Sequence, residues 1–288
     1  ATPQTEVPAQ KKHKTQWSIC NAKSLANFSA VGYGFGKELQ EALNVPIGLV
    51  DASYGGTFVE GWMKKEVIEA DSKIMRDCTK IKHKVWKGKE SHLYNASIYP
   101  IRHNSFAGVI WYQGCANKGE AELYSRLQPE FVKMLRRMWC NNELPFYYAQ
   151  IAGFQYTGSQ NLEAALIREA QLENSKIIPF SGMIVSMDCS DETCIHPGKK
   201  KPIGDRFAYL SLQKTYGMSG FDAVSPLYES HEIKGNVVYV KFTKTMWGGV
   251  GHKGKSLVGF ELAGEDRKFY PAEACNHSKD SHVIEVKS

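Results

Sequence analysis

His196 stands before Pro197, which biases it toward extended backbone and places an imidazole on a loop. Upstream, the Gly55-Gly56 pair allows a tight turn with backbone N–H groups bared to a ligand. Asn117 ends the run Gln113-Gly114-Cys115-Ala116-Asn117 and offers a side-chain amide as a second donor. A base and two N–H donors are the parts of an acyl-transfer site. The base takes the proton of an attacking oxygen and later returns it to the leaving group, while the donors hold the oxyanion of the tetrahedral intermediate. Each part has a plainer reading. The glycine pair makes a turn, Asn117 caps a helix beginning near Glu120, and a lone histidine before proline is structural.

Cys189, Cys194 and His196 raise metal binding as a rival. Their C-x4-C-x-H spacing matches none of the common zinc sites and no fourth ligand is evident, so no metal and no organic cofactor are expected. A disulfide between Cys189 and Cys194 would tighten the histidine loop in an oxidising compartment, with buried thiols as the alternative.

The elements that must position these residues follow from periodicity. Residues 47–50, 108–112, 146–149 and 183–187 read as short apolar strands. Helical spacing joins Phe35, Leu39 and Leu43, then Ala121, Tyr124, Leu127, Phe131, Leu135 and Met138. It recurs weakly at Ala165, Arg168 and Leu172, and again at Ile203, Phe207 and Leu210, where Pro202 suits a first turn and Gly217 closes the pattern. Fully apolar strands alternating with helices imply a parallel sheet with helices on both faces. Ligands of such sheets bind beyond the carboxyl ends of the strands. Three of these ends would deliver the Gly pair, the Asn117 turn and the Asp188–His196 loop to one rim.

From about Gly220 the texture becomes β-rich, at residues 236–242 and 283–286, with turns at Lys234-Gly235-Asn236 and Gly248-Gly249. The division expected is an α/β domain over 1–219 and a β-rich, truncated domain over 220–288. The net charge of +6 is mild; its densest runs, residues 11–14 and 199–201, sit in no nucleic-acid module, so no nucleic-acid partner is expected. No apolar run approaches the ~20 residues that span a bilayer. Seven cysteines leave at least one thiol unpaired within the chain.

Several longer motifs, in order, resemble a known family. They are residues 28–39, then 45–57 with Glu60-Gly61-Trp62, 93–98, 108–114 leading to Asn117, Arg168-Glu169-Ala170-Gln171 and Ile195-His196-Pro197. Over almost its whole length the chain resembles the bacterial sialate O-acetylesterases of the SGNH hydrolase superfamily. That resemblance implies a three-layer α/β/α, flavodoxin-like fold and a Ser–His hydrolase cleaving O-acetyl esters from sialic acid or related sugars. It implies His196 as base, Gly56 and Asn117 as oxyanion donors, and Gln113, Arg168 and Gln171 as residues that shape or support the pocket. Relatives are usually exported, which implies a periplasmic or secreted protein.

The chain departs from the pattern in three places. The family's nucleophile lies in a Gly-Gln-Ser-Asn motif that these residues lack, and Ser53 matches a non-nucleophilic position. The expectation is therefore a fragment whose serine block and first strand lie upstream, inactive alone and prone to self-association. Cys115 replaces a frequent glutamate. Thr193 stands where the superfamily often has aspartate, three residues before the histidine. The imidazole would then be oriented by Asp191, Asp188, a backbone carbonyl or water, giving a dyad or a triad completed by Asp191. An acetyl-xylan-type esterase and a non-catalytic carbohydrate-binding protein on the same scaffold are the alternatives.

Overall fold

A computed structural model describes residues 16–81, 88–156, 162–243 and 257–288. The basic run at 11–14 and the Gly248-Gly249 turn lie outside the described residues. Two compact units are present, one reaching Met218 and one running from Ser219 to the end.

In the first unit the helices are α1 (Ala22–Leu25), α2 (Ala30–Leu43), α3 (Lys65–Glu69), α4 (Ser72–Lys80), α5 (Ala121–Met138), α6 (Glu163–Ile177) and α7 (Lys201–Lys214). Its strands are β1 (Val109–Trp111), β2 (Phe146–Ala149) and β3 (Ser181–Ile184), parallel in the order β1-β2-β3. Trp111 pairs with Tyr148, and Ala149 with Ile184. Helices α5 and α6 supply the crossovers that parallel pairing requires. Every residue of β2 and β3 is buried, whereas β1 is half-buried along its length.

The two faces of β2 show the layering. Phe146 and Tyr148 join a core with Leu127, Phe131 and Leu135 of α5 and Ile167 of α6. Tyr147 points the other way, its hydroxyl 2.7 Å from Thr215 Oγ1 just past α7. On that second face α7 packs closely on α2. A Cβ added at Gly204 would lie 2.8 Å from the Val31 carbonyl oxygen and 2.9 Å from Phe35 N, so only glycine permits the approach. Pro202 does sit in the first turn of α7.

Three expectations need correction. Residues 47–50 form no strand; they run along α2, with Leu49 in the gap left by Gly36. An apolar run becomes a strand only beside another backbone row, and among the described residues none pairs with it. The last parallel strand is Ser181–Ile184 rather than 183–187, because Gln150 N makes the last bond to Ile184 O and a 3₁₀ turn over Met187–Cys189 follows. Helix α6 buries Ala164, Ile167, Ala170, Gln171 and Asn174 instead of the face through Ala165, Arg168 and Leu172. Its polar members go inside because they find partners there: Asn174 Nδ2 donates to Gln128 Oε1 of α5 at 2.8 Å.

The second unit holds an antiparallel sheet. Its strands are β4 (Tyr228–Lys234), β5 (Val237–Phe242), β6 (Glu261–Ala263), β7 (Phe269–Pro271), β8 (Glu273–Asn276) and β9 (Val283–Lys287). Four of them order as β4-β5-β9-β8, and β6 pairs with β7. The two-residue turn Gly235-Asn236 joins β4 to β5, and Ala274, Ile284 and Val286 form a small core.

Candidate functional site

At the carboxyl edge of the parallel sheet, β1 runs into Gln113–Asn117, β2 into Gln150–Tyr156, and β3 into the loop ending at His196. The first of these turns sharply. Gly114 has φ +148°, and a Cβ there would meet Ile151 Cγ2 at 2.7 Å and Gln171 Nε2 at 3.0 Å. A glycine is therefore required at this strand end.

Gln171 holds two strand ends together. Its Nε2 donates to the Gln113 carbonyl at 3.0 Å and its Oε1 accepts from Ile151 N at 2.9 Å, with the side chain fully buried. Gln113 continues the network toward the glycine turn, where Gly56 takes φ +72°. Its Nε2 donates to the Thr57 carbonyl at 2.9 Å and to Asn117 Oδ1 at 2.8 Å. Trp62 Nε1 in turn donates to Thr57 Oγ1 at 3.0 Å, bracing the turn.

Asn117 does not cap α5, whose N-cap is Glu120. Its Oδ1 accepts from Val59 N at 3.0 Å, and its Nδ2 donates to Glu60 Oε2 at 3.0 Å. The side chain is fully buried, and Glu60 is 1% exposed. Gln113, Asn117 and Gln171, with the Thr57 carbonyl next to Gly56, thus belong to one hydrogen-bonded cluster around the ends of β1 and β2. Ser53 lies outside it: its hydroxyl donates to Asp51 Oδ1 at 2.6 Å.

Arg168 is half-buried, and burial lowers its pKa from the ordinary guanidinium value. Among the described residues no carboxylate pairs with it. Burial also raises the Cys115 thiol, which feels the charges of Arg168 and Lys200. Lys118 Nζ sits 4.8 Å from the Tyr156 ring centroid. Lys118 is also paired with Glu163, so this rim is aromatic and carries both signs of charge.

The histidine loop is fastened to the segment after β2. Ser190 Oγ accepts from Gly153 N at 2.6 Å and donates to the Ser186 carbonyl at 2.9 Å, while Gln155 N donates to the Glu192 carbonyl at 3.0 Å. His196 is exposed and Pro197 is buried. Asp191 Oδ1 accepts from Thr193 N at 2.8 Å and from Thr193 Oγ1 at 2.7 Å, bonds that hold its carboxyl below the usual range. Asp188 is engaged by Arg206 through two 2.6 Å bonds, which lower its pKa. Among the described residues no hydrogen bond reaches the His196 imidazole. All seven cysteines are free thiols; Cys194 Sγ donates to the His196 carbonyl at 3.3 Å.

The family model for carbohydrate esterases, sialic acid-specific acetylesterases, matches residues 6–213. The chain belongs to this family. It is 26% identical to the sialate O-acetylesterase of Homo sapiens over 297 residues, covering 95% of this chain and 57% of that protein. The Mus musculus sialate O-acetylesterase is 26% identical over 266 residues, covering 75% of the chain and 49% of that protein. A carbohydrate acetylesterase from Xanthomonas citri, known from its crystal structure, superposes with a TM-score of 0.83 at 28% identity, covering all of this chain and 63% of that one. The chain thus spans about half the length of the curated relatives it matches. Its α/β fold agrees with that of the Xanthomonas esterase.

One member of the cluster was given no role in the sequence reading. Glu60 appears there only as part of a motif. The signal was available: it is an acid inside Phe58-Val59-Glu60-Gly61-Trp62-Met63, a run whose every residue is buried. A carboxylate in such a place needs polar partners.

Proposed function

We propose that this esterase-family chain contributes the base and the oxyanion donors of a serine esterase that removes acetyl groups from sugar hydroxyls. The hydroxyl nucleophile comes from a segment outside these 288 residues. His196 Nε2 takes the proton as the serine oxygen attacks the acetyl carbonyl. Negative charge then gathers on the carbonyl oxygen, where Gly56 N–H and Asn117 Nδ2 donate to it. Collapse expels the sugar alkoxide, which receives the proton from His196, and an acetyl-enzyme remains. Water, deprotonated by the same imidazole, releases acetate and restores the serine.

Gln113 and Gln171 support the donors, and Arg168 presents its guanidinium to the sugar. Asp191 serves His196 by setting the turn through Thr193. The base then works as a dyad with the serine.

The observation carrying this reading is the hydrogen-bonded union of the Gly56 turn with Asn117 at a strand edge, in a chain of this family. The substrate proposed is O-acetylated sialic acid or a related sugar, hydrolysed by an exported enzyme; among the described residues no helix is long and apolar enough to cross a membrane. Acetate release from O-acetylated sialic acid and from acetyl-xylan, measured on the nucleophile-bearing protein, tests it. Release from the first supports the reading, release from xylan alone moves the substrate to plant polysaccharide, and sugar binding without acetate release replaces the enzyme by a carbohydrate-binding protein.

A further inference from the structure

Three partners determine which way round the Asn117 amide lies. Val59 N and Gln113 Nε2 can only donate, so the atom facing them is the oxygen. The Glu60 carboxylate, when ionised, can only accept, so the atom facing it is Nδ2, at 3.0 Å. One of the two Nδ2 hydrogens is consumed by Glu60, and the other is the one the oxyanion reading assigns to the substrate.

We infer that Glu60 is a positioning residue for the oxyanion donor: it acts on the reaction through Asn117, by fixing its amide. The inference rests on the reading of Asn117 as an oxyanion donor. Two features give the carboxylate this ability. It is 1% exposed, so its bond to the amide is not diluted by water. Its backbone is held as well, since the Glu60 carbonyl accepts from Ser91 N at 3.1 Å and from Met63 N at 3.3 Å. Val59 N and Gln113 Nε2, donating to Asn117 Oδ1, polarise the amide and strengthen the N–H left for the developing charge.

The test uses the nucleophile-bearing protein and three variants, each read by kcat, KM and Tm. Asn117→Ala should lower kcat by about 10²–10³, the usual loss of an oxyanion donor. Glu60→Gln should lower kcat about tenfold or more with KM close to the parent, because an added amide can also present N–H to Asn117 and loosen its orientation. The reciprocal double variant, Asn117→Asp with Glu60→Gln, re-forms the hydrogen bond with donor and acceptor exchanged. An acid at 117 still accepts from Val59 and Gln113, so Tm should return near the parent while kcat stays as low as in Asn117→Ala.

A reciprocal variant with parental Tm and parental kcat would make the pair purely structural and overturn the proposal. Parental kcat in Glu60→Gln overturns it too, and with Asn117→Ala impaired the oxyanion reading survives. Parental kcat in Asn117→Ala removes both. Should Glu60→Gln alone fail to fold, Glu60→Asp is read in its place: kcat lowered with KM close to the parent supports the positioning role, and parental kcat overturns it.

Discussion

Gln171 and Gln113 meet across two secondary-structure elements: the α6 side chain donates at 3.0 Å to the carbonyl that follows β1, while its own oxygen accepts from Ile151 after β2. A single buried amide therefore spaces the ends of two parallel strands. The turn carrying Asn117 starts from the Gln113 end of that pair, so the geometry of the candidate oxyanion donors is inherited from a fully buried helix residue.

Replacing Gln171 with Leu should therefore strand the buried Ile151 N–H and leave the Gln113 carbonyl only the 3.5 Å bond from the Tyr124 hydroxyl. An unpaired buried group costs about 1–3 kcal/mol, so stability should fall by roughly that amount. Denaturant melts of the chain would show it. A loss under ~0.5 kcal/mol would mean that water replaces the amide at both groups.

His196 is exposed, and no hydrogen bond among the described residues depends on its ring. His196→Ala should leave Tm within a degree or two of the parent and abolish acetate release by the nucleophile-bearing protein. Near-native turnover would take the base away from His196.

Asp191 spends Oδ1 on Thr193. Its replacement by Asn keeps an acceptor there, so kcat should drop less than about tenfold. A fall near 10⁴, the size seen when a triad carboxylate is neutralised in a serine protease, would instead make Asp191 the partner of the imidazole.

The Asp188–Arg206 pair makes the histidine loop acid-sensitive. Arg206 depresses the folded-state pKa of Asp188, so the stabilisation is present above the unfolded carboxylate value and is lost as pH falls through the lower folded value. The Asp188 side chain is 62% exposed, which keeps the contribution under ~1 kcal/mol. Asp188→Asn should lower Tm at pH 7, and the deficit should shrink progressively as pH falls below the ordinary carboxylate value. A deficit that does not change with pH would show that charge is not what matters.

Among the described residues strand β1 is an edge with a half-buried apolar row, and Val45 and Val50 are exposed elsewhere in the same unit. Unpaired backbone beside apolar side chains invites a second chain. The 288 residues should therefore self-associate on gel filtration at micromolar concentration. A monodisperse monomer would show the edge to be adequately covered.

Helix α5 was legible because Tyr124, Leu127, Phe131 and Leu135 repeat at helical spacing and all four are buried. The turn at Gly235-Asn236 and the strand after it were legible because glycine permits the tight two-residue turn that here joins β4 to β5. Residues 47–50 misled for a definite reason: four apolar residues state that something will be covered and not which backbone will pair. In α6 the weak apolar pattern was read one residue out of phase, since its buried face includes Gln171 and Asn174, which look like surface residues until their partners are in place.

Residue types and local spacing alone established an α/β chain, the glycine turn, the Asn117 turn and the histidine loop, because turn chemistry and helical periodicity act between near neighbours. Only the folded chain decided that Asn117 faces Glu60 and Val59, 57 and 58 positions away, and that Asp191 turns to Thr193. Buried hydrogen bonds are chosen by whichever donors and acceptors lose water together, and that company is set by packing between elements distant along the chain.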